Sequence, residues 1–302
     1  MWKKATPSPG REKDNLGEVG RLQVRFRQAE RGSTREEGMA SKINHVAIMS
    51  GNYALESKFY ESYFGMKNSP NARSNRAVSI GDGYVGMNIN PRRAGRPARF
   101  DHFGIQVDNL EDAIERVKEA GVKVLKRPDT RPFAAYSTHD TDGNVFDLTE
   151  ASGKNIKDVY AHNDWEQDRT ISHLGLRTMN AEKVAQFYTE VLDLKLTNGP
   201  VPEGAFGVTD GRMTLMIMQW DLDDYADSGI TGPGIDYIGF KVESIEAFAK
   251  DAEEIAANNP LIAPSPVGSG PEGAARLAMF KRTSIGSYHL ADPDGILIDV
   301  IE

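Results

Sequence analysis

The sequence predicts an α+β protein made of two tandem copies of one domain. The first observation behind this prediction is a repeat, because motifs of the N-terminal half return 128 residues later. The matching motifs are Asn44-His45-Val46-Ala47-Ile48 with Ser172-His173-Leu174-Gly175-Leu176, Phe59-Tyr60 with Phe187-Tyr188, Gly65-Met66-Lys67 with Asp193-Leu194-Lys195, and Asp82-Gly83 with Asp210-Gly211. A constant offset across separate landmarks indicates homologous domains. The second observation is that strand and helix patterns alternate within each copy.

In the first copy, a unit of one strand, one helix and further strands occurs twice. Apolar residues over 43–49 predict a strand, and the apolar stripe over 55–63 predicts a helix. The second unit begins with a predicted strand over 102–107 and continues with helical spacing over 110–117. Gly121 is a suitable end for this helix, and an Asp or Asn precedes it as a cap.

The second copy repeats this order with longer connections. A strand over 237–242 and a helix over 245–257 follow the first-copy pattern at an offset of 135 residues. The extra residues lie in 220–234, which is rich in Asp and Gly and is predicted to be a longer loop. A second insertion over 261–276, rich in Pro and Gly, is also predicted to be loop and raises the final offset to 152.

Composition limits the classes of partner. The chain has 302 residues, 39% of them hydrophobic, and no cysteine, so a metal would be bound by nitrogen and oxygen ligands. No segment approaches the roughly 18 apolar residues of a membrane span, and no secretion signal is visible, so we expect a cytoplasmic protein without a membrane partner. The formal net charge of −8 argues against nucleic acid. We expect a small-molecule substrate and leave assembly into a homo-oligomer open.

The predicted domain boundaries follow from these patterns. Residues 1–38 carry an excess of basic side chains with little apolar periodicity, and we expect a disordered arm. The first domain is expected over 42–150, a linker over 151–170, and the second domain over 171–302.

Both copies end on the same phrase, a tight Asp-x-Asp-Gly turn followed by a terminal strand. The two phrases are Asp140-Thr141-Asp142-Gly143-Asn144-Val145-Phe146-Asp147-Leu148 and Asp292-Pro293-Asp294-Gly295-Ile296-Leu297-Ile298-Asp299-Val300. Together with a first strand that contains His and a helix that contains Phe-Tyr, they resemble the vicinal oxygen chelate superfamily. That superfamily includes glyoxalase I, bleomycin-resistance proteins, methylmalonyl-CoA epimerase and extradiol dioxygenases. The resemblance covers nearly all of residues 42–302.

The resemblance implies a fold and a metal site. Each domain would pair two βαβββ units into a half-open barrel, with a divalent metal in the concavity. Ligands from the first strand of each unit and from the last strand correspond here to His45, His102 and Asp147 in the first domain. The second domain has His173, Tyr237 and Asp299 at these positions, so only the first domain keeps two histidines.

Strand alternation supports this set independently. Asp147 alternates with the apolar Phe146 and Leu148, and His102 alternates with apolar neighbours in the same way, so both point away from the helix-covered side. Two histidines and one carboxylate suit Fe(II), which we expect first, while Mn(II), Zn(II) and Ni(II) are alternatives. The family usually has Glu at the position of Asp147, whose carboxylate is one methylene shorter. Glu150 is the fallback acid, although its alternation phase is that of Phe146.

Further polar residues near this set are candidates for chemistry or substrate contact. His139, just before the Asp-x-Asp-Gly turn, is a candidate catalytic acid or base, and Tyr136 beside it is a second candidate. Strand alternation places Asn88 and Asn90 on one face. They could supply an extra metal ligand or contact the substrate, or the face could simply be exposed to solvent. We expect a structural role for His289 in the second domain.

Three functions remain open at this point. The first is ring cleavage of a catecholic substrate, as in extradiol dioxygenases, which the two-histidine, one-carboxylate set favours. The second is a glyoxalase-, epimerase- or lyase-like reaction, in which the metal acts as a Lewis acid and a fourth ligand such as Asn88 would be expected. The third is a metal-free binding protein like the bleomycin-resistance group, which a carboxylate too short to reach a metal would favour.

Overall fold

The first domain is one eight-stranded sheet. The computed structural model describes residues 41–69, 77–129, 133–153 and 165–302, so the predicted arm over 1–38 lies outside the described residues, as does most of the predicted linker. The strands are β1 (Lys42–Ser50), β2 (Lys67–Asn68), β3 (Val78–Gly81), β4 (Gly86–Pro91), β5 (Arg99–Val107), β6 (Leu125–Lys126), β7 (Tyr136–His139) and β8 (Val145–Glu150). The helices are α1 (Tyr53–Phe64) and α2 (Leu110–Glu119).

The second domain is one seven-stranded sheet with additional helices. Its strands are β9 (Thr170–Thr178), β10 (Lys195–Leu196), β11 (Phe206–Thr209), β12 (Thr214–Gln219), β13 (Gly234–Lys241), β14 (Tyr288–Ala291) and β15 (Leu297–Ile301). Its helices are α3 (Ala181–Val191), α4 (Leu222–Ser228), α5 (Ile245–Asn258) and α6 (Gly270–Arg282), with a 3₁₀ turn at Pro260–Ile262. No described helix is long and apolar enough to cross a membrane.

The strand order confirms the predicted α+β fold. The first domain has two βαβββ units, whereas the second has one βαβββ unit and, among the described residues, a second unit with only two strands after its helix, β14 and β15. The first sheet has the order β2-β3-β4-β1-β5-β8-β7-β6, and the second has β10-β11-β12-β9-β13-β15-β14. In each sheet the first strands of the two units pair antiparallel, β1 with β5 and β9 with β13. Within the described residues neither sheet closes on itself, and in the first domain one face of the sheet remains available as an open trough.

In both domains, the helices that follow the first strand of a unit cover one face of the sheet and complete the core. Asn52, Asn109 and Asn180 cap the starts of α1, α2 and α3, because each side-chain oxygen accepts a hydrogen bond from a backbone N–H of the first turn. The core cluster includes Val46 and Ile48 of β1, which alternate with His45, Ala47 and Met49. We call the face that carries these last three residues the open face of the first domain.

The two predicted loops of the second domain contain helices instead. Within 220–234, α4 begins with a capping box, since Asp221 and Asp224 bond reciprocally across the first turn. Within 261–276, α6 begins at Gly270 and continues to Arg282. Pro271 is compatible with this helix because it lies in the first turn, where its missing N–H would have no intrahelical partner.

Single-residue bulges interrupt the central strand pairing of each domain. In the pairing of β1 with β5, the register shifts between Ile43 and His45 and again between Ala47 and Ile48, which leaves Asn44 and Asp101 as the extra residues. A bulge re-orients the side chains beside it. The second domain has the equivalent bulges at Ser172 and Asp236.

The two domains contact each other through reciprocal hydrogen bonds, all within one compact unit. The Tyr60 hydroxyl donates to Asp292 at 2.9 Å, and the Tyr188 hydroxyl donates to Asp140 at 3.0 Å. Further reciprocal bonds are Ile43 N to Asp210 (2.8 Å) with Ile171 N to Asp82 (2.7 Å), and Gly51 N to Asp294 (2.8 Å) with Asn180 N to Asp142 (2.7 Å). The Asp-x-Asp-Gly turn of each domain therefore binds the other domain.

Candidate metal centre

His45 lies on β1 and its ring is fixed from one side. Asn44, the bulge residue before it, places its side-chain oxygen 2.8 Å from His45 Nδ1. Because an amide oxygen only accepts hydrogen bonds, Nδ1 is the donor. The other ring nitrogen, Nε2, therefore carries the lone pair when the ring is neutral and is available as a ligand.

His102 lies on β5 and is fixed in the same way. Asp101, again the bulge residue before the histidine, accepts a hydrogen bond from His102 Nδ1 at 2.9 Å. The His45 and His102 rings are nearly perpendicular, with centroids 5.5 Å apart and an interplanar angle of 86°. The two bulges thus orient both imidazoles toward a common region.

Asp147 on β8 completes the group. Its Oδ2 lies 3.1 Å from His102 Nε2 and 4.0 Å from His45 Nε2, and Ser137 donates a hydrogen bond to its Oδ1. All three side chains are buried, and their ligand atoms lie within 4.8 Å of one another. The structure therefore brings the predicted residues together, and the shorter Asp reaches both histidines. The group could hold a metal ion.

Gly104 makes room for the His45 ring. It lies opposite His45 in the β1–β5 pairing, and a Cβ atom there would lie 2.0 Å from His45 Cε1. Any side chain at this position would displace the imidazole.

Electrostatics within the group favour a carboxylate that stays ionised. Burial opposes ionisation of Asp147, but the hydrogen bond and charge of His102, with His45 and Ser137, lower the pKa of Asp147 to about 2. Burial also opposes a charged His102, but its bonds to Asp101 and Asp147 raise the pKa of His102 to about 9. Without a metal, His102 is therefore protonated at neutral pH, and its positive charge lies between the carboxylates of Asp101 and Asp147.

Phe133 forms an apolar wall beside the group and was not predicted to belong to it. Its ring centroid lies 5.3 Å from that of His45, and the side chain is completely buried. Its φ angle is 65°, in the left-handed region that non-glycine residues rarely adopt. Such strain persists only where surrounding contacts hold it, and it is frequent near functional sites.

The structure separates the two candidate catalytic residues. His139 lies on the same face of β7 as Ser137, is half-buried, and its Nδ1 donates to the Asp140 carbonyl at 2.7 Å, which leaves Nε2 as an acceptor. Tyr136 is paired with Leu148 and packs against the hydrophobic core. It is therefore not brought to the metal group, because strand alternation points it to the opposite face.

The remaining polar candidates lie at defined positions. Asn88 is buried on the open face, opposite Ala47, and accepts a hydrogen bond from Ser79 at 2.9 Å. Asn90 lies two residues further along β4, opposite Met49. Glu150 instead accepts the Leu110 N–H at 3.4 Å, at the start of α2, and is not a member of the group.

Comparison with known proteins decides the family. The model of the Glyoxalase/Bleomycin resistance protein/Dioxygenase superfamily matches residues 42–148 and 170–300. The chain belongs to this superfamily. Among curated proteins, no relative matches with significant sequence similarity.

Several solved structures, among them a glyoxalase and two dioxygenases, are similar in fold to most of this chain. The Mn(II)-bound glyoxalase from Novosphingobium aromaticivorans is 17% identical, with a TM-score of 0.59 over 86% of this chain and 81% of that one. The 2,3-dioxygenase LapB from Pseudomonas sp. KL28 is 15% identical, with a TM-score of 0.58 over 86% and 91%. An extradiol ring-cleaving dioxygenase from B. fuscum is 12% identical, with a TM-score of 0.57 over 87% and 72%. At these low sequence identities, the similarity shows a shared fold and does not by itself show a shared reaction.

The second domain keeps the superfamily fold but has a different set of residues at the equivalent positions. His173 Nε2 lies 3.0 Å from Asp299, whereas Tyr237 replaces the second histidine and donates its hydroxyl to the Thr283 carbonyl at 2.9 Å. His289 lies 3.3 Å from Asp299, at the position that Ser137 has in the first domain. Among the described residues, only His45, His102 and Asp147 form a group with metal-ligand geometry.

Side chains fill the equivalent face of the second domain. Phe280 of α6 packs against Tyr237, with ring centroids 5.2 Å apart, and against His289 at 4.9 Å. Arg177 is almost completely buried and donates to Asp224 of α4 and to the bulge residue Asp236, at 3.0 Å each. The two inserted helices therefore cover the face that remains open in the first domain.

Proposed function

We propose that the protein is a metal-dependent enzyme that binds a small catecholic substrate and cleaves its ring with dioxygen. His45, His102 and Asp147 would hold a divalent metal ion, with Fe(II) as the first choice. The observation that carries this proposal is the support of each ligand. Asn44, Asp101 and Ser137 each bind the non-ligating atom of one of them, so the remaining ligand atoms are oriented toward one point. Such outer contacts accompany ligands of metal sites and fix their geometry.

The donor set matches the proposed ion. Two imidazoles and one carboxylate on one side of an ion suit Fe(II) and leave positions for substrate oxygens and dioxygen. When bound, the metal would polarise two vicinal oxygens and, as Fe(II), activate dioxygen beside them. The absence of cysteine from the chain makes thiolate-preferring ions a poorer match.

Neighbouring residues would complete the site. The buried Phe133 ring covers one side of His45 and excludes water there. His139 would accept or return a substrate proton at Nε2, since its Nδ1 is bound to the Asp140 carbonyl. Tyr136 takes no part in the proposed chemistry, because it lies on the opposite face of β7.

One observation favours a second candidate, a glyoxalase- or epimerase-like reaction without dioxygen. Asn88 has a buried carboxamide and lies level with His102 across the sheet, since Asn88 of β4 and His102 of β5 both pair with Ala47 of β1. If Asn88 acted as a fourth ligand, less room would remain for dioxygen beside a chelating substrate. Mn(II), Zn(II) or Ni(II) would serve that reaction as Lewis acids.

The test is elemental analysis of the full-length protein purified without oxygen, followed by oxygen-electrode assays with a panel of catechols. We expect about one iron per chain and catechol-dependent oxygen uptake. Asp147→Asn should lose both, whereas the matched change Asp299→Asn in the second domain should keep the iron. Manganese, zinc or nickel without oxygen uptake would select the second candidate. Failure to bind any of these metals after reconstitution would reject both and leave a metal-free binding protein.

A further inference from the structure

Four arginines lie within eight residues in the connection from β4 to β5. They are Arg92, Arg93, Arg96 and Arg99. All four are exposed, and none forms an ion pair with a described residue. The chain as a whole carries a formal net charge of −8, so this local excess of positive charge runs against the composition. We call residues 92–99 the arginine loop.

The arginine loop has a defined shape. Its first residue pairs with the end of β1, because Arg92 N donates to the Ser50 carbonyl at 2.8 Å. A turn closes where Arg96 N donates to the Arg93 carbonyl at 3.1 Å, with Gly95 at a φ of 75°. Residues 92–97 line a surface depression with a volume of 370 Å³.

The bulge at Asp101 places Arg99 on the open face. Without the bulge, Arg99 and His102 would point to opposite sides of β5, since they are three positions apart and side chains alternate along a strand. With it, Phe100 lies opposite Ile48 and packs against the core, and Arg99 lies opposite Met49. Met49 is on the face that carries His45, so Arg99 shares a face with the metal group.

The distance between the two features fits a small molecule. The pair of Met49 with Arg99 lies two residues along β1 from the pair of Ala47 with His102. Two residues of strand span about 7 Å. Asn90 lies level with Arg99 across the sheet because it also pairs with Met49. A substituent on a ring-sized substrate at the metal group would therefore reach Arg99 and Asn90.

We propose that the substrate carries an anionic group, a carboxylate or a phosphate, that binds Arg99 and the arginine loop while its vicinal oxygens lie at His45, His102 and Asp147. This inference rests on the proposed function and adds the substrate class. Arginine pairs with carboxylate and phosphate through two parallel hydrogen bonds, which makes it selective for such planar or multidentate anions.

The test separates the two binding determinants with four probes on the iron-loaded full-length protein, titrated by calorimetry without oxygen. Catechol has only the vicinal oxygens, benzoate and phenyl phosphate have only the anion, and protocatechuate has both vicinal oxygens and a carboxylate. We expect protocatechuate to bind wild type roughly tenfold more tightly than catechol, as a charge-assisted pair would give. Arg99→Gln should bring the ratio of the two dissociation constants close to one, and Arg282→Gln, an exposed arginine of the second domain, should leave it unchanged.

The remaining outcomes are decisive as well. Arg99-dependent binding of benzoate or of phenyl phosphate tells which anion the arginine loop prefers. Equal affinities of catechol and protocatechuate in wild type, with no effect of Arg99→Gln on the binding of benzoate or phenyl phosphate, would overturn the inference and leave the metal site intact.

Benzoate binding without catechol binding would overturn the proposed function but retain the anion site. A DNA duplex bound more tightly than phenyl phosphate at equal salt, and lost in Arg99→Gln, would assign the arginine loop to nucleic acid instead. Arg96→Gln, in the exposed turn, repeats the test if Arg99→Gln does not fold.

Discussion

Each candidate histidine ligand is preceded by a bulge residue that binds its Nδ1. Asp101 does this for His102, and Asn44 does it for His45. The second domain keeps one such pair, in which Ser172 contacts His173 at 2.9 Å. The bulge residue therefore helps to fix the orientation of the histidine ring, although it does not itself face the metal group.

Removal of the Asp101 side chain should weaken metal binding. Asp101→Ala leaves His102 free to rotate and reduces its basicity, so we expect the metal dissociation constant to rise roughly 10- to 100-fold. Competitive titration with a chromogenic chelator measures this. The matched control is Ser172→Ala, which removes the partner of His173 and should leave the constant unchanged. An unaltered constant in Asp101→Ala would show that the bulge residue does not orient the ligand.

Proton transfer by His139 has its own test. His139→Asn should lower kcat roughly a hundredfold with little change in metal content, because a positioned general acid or base contributes at least this much. Tyr136→Phe is the control on the same strand, and its kcat should stay at the wild-type value because Tyr136 packs against the core. Steady-state rates of oxygen uptake with the best catechol provide the measurement. Equal rates in the two variants would contradict the role of His139.

The sequence predicted the three candidate ligands but not their surroundings. His45, His102 and Asp147 could be predicted because the resemblance to the superfamily implies ligands at these positions, and strand alternation supported the choice of His102 and Asp147. Ser137 and Phe133 could not, since their contacts arise from the pairing of β7 with β8 and from a left-handed turn. A signal did exist for Ser137, because it alternates with Tyr136 and so shares the face of His139.

At the scale of elements, the inserted helices fill the face of the second domain that corresponds to the face of the metal group in the first. Phe280 of α6 lies between Tyr237 and His289, and the ion pairs of Arg177 join β9 to α4. The equivalent face is therefore filled by protein, while the corresponding face of the first domain retains its polar group.

Phe280→Ala should destabilise the protein without creating a second metal site. Removal of a buried phenyl ring costs about 3 kcal/mol of unfolding free energy. Metal stoichiometry should stay the same, because Tyr237 still occupies the position of the second histidine. Denaturant unfolding and elemental analysis measure the two effects. Leu261→Ala is the control, since Leu261 is 74% exposed and its loss should change stability by less than about 0.5 kcal/mol.

The two helices within the insertions were the part of the fold that the sequence did not predict. Gly270, Pro271 and Gly273 are turn residues by local preference, and only packing makes them helical. Met279 and Phe280 on α6 are buried, and α6 packs against α4 through Met279 and Ser228. Tertiary contacts of this kind override local propensity and cannot be read from one segment.

At the scale of the whole molecule, a buried carboxyl pair joins the domains. Glu56 of α1 and Asp292 of the second domain share a hydrogen bond, and Tyr60 donates to the same Asp292. Burial and the negative charge of Asp292 raise the pKa of Glu56 from its ordinary 4.5 to about 10. The other copy has Val184 at the position of Glu56, with no charge to bury.

Stability should consequently fall as pH rises. The folded state keeps Glu56 protonated above pH 4.5, where the unfolded chain has already lost the proton, so the contribution declines from pH 4.5 toward the folded pKa near 10. The slope from one such group is about 1.4 kcal/mol per pH unit at most. Glu56→Gln removes the part of the pH dependence that Glu56 contributes.

Thermal unfolding between about pH 5 and pH 8 provides the measurement. The melting temperature of Glu56→Gln should exceed that of wild type by a margin that grows with pH. Glu190→Gln, an exposed change on the equivalent helix α3, should follow the wild-type pH dependence. A constant difference between Glu56→Gln and wild type would contradict the raised pKa.

The reciprocal bonds of Tyr60 with Asp292 and of Tyr188 with Asp140 have the form of an isologous contact, in which each partner offers the same patch to the other. Such an interface does not depend on the peptide that connects the halves. Two separately synthesised fragments, cut between β8 and β9, should therefore associate in solution and re-form one half with the candidate metal group and one half whose equivalent face is filled.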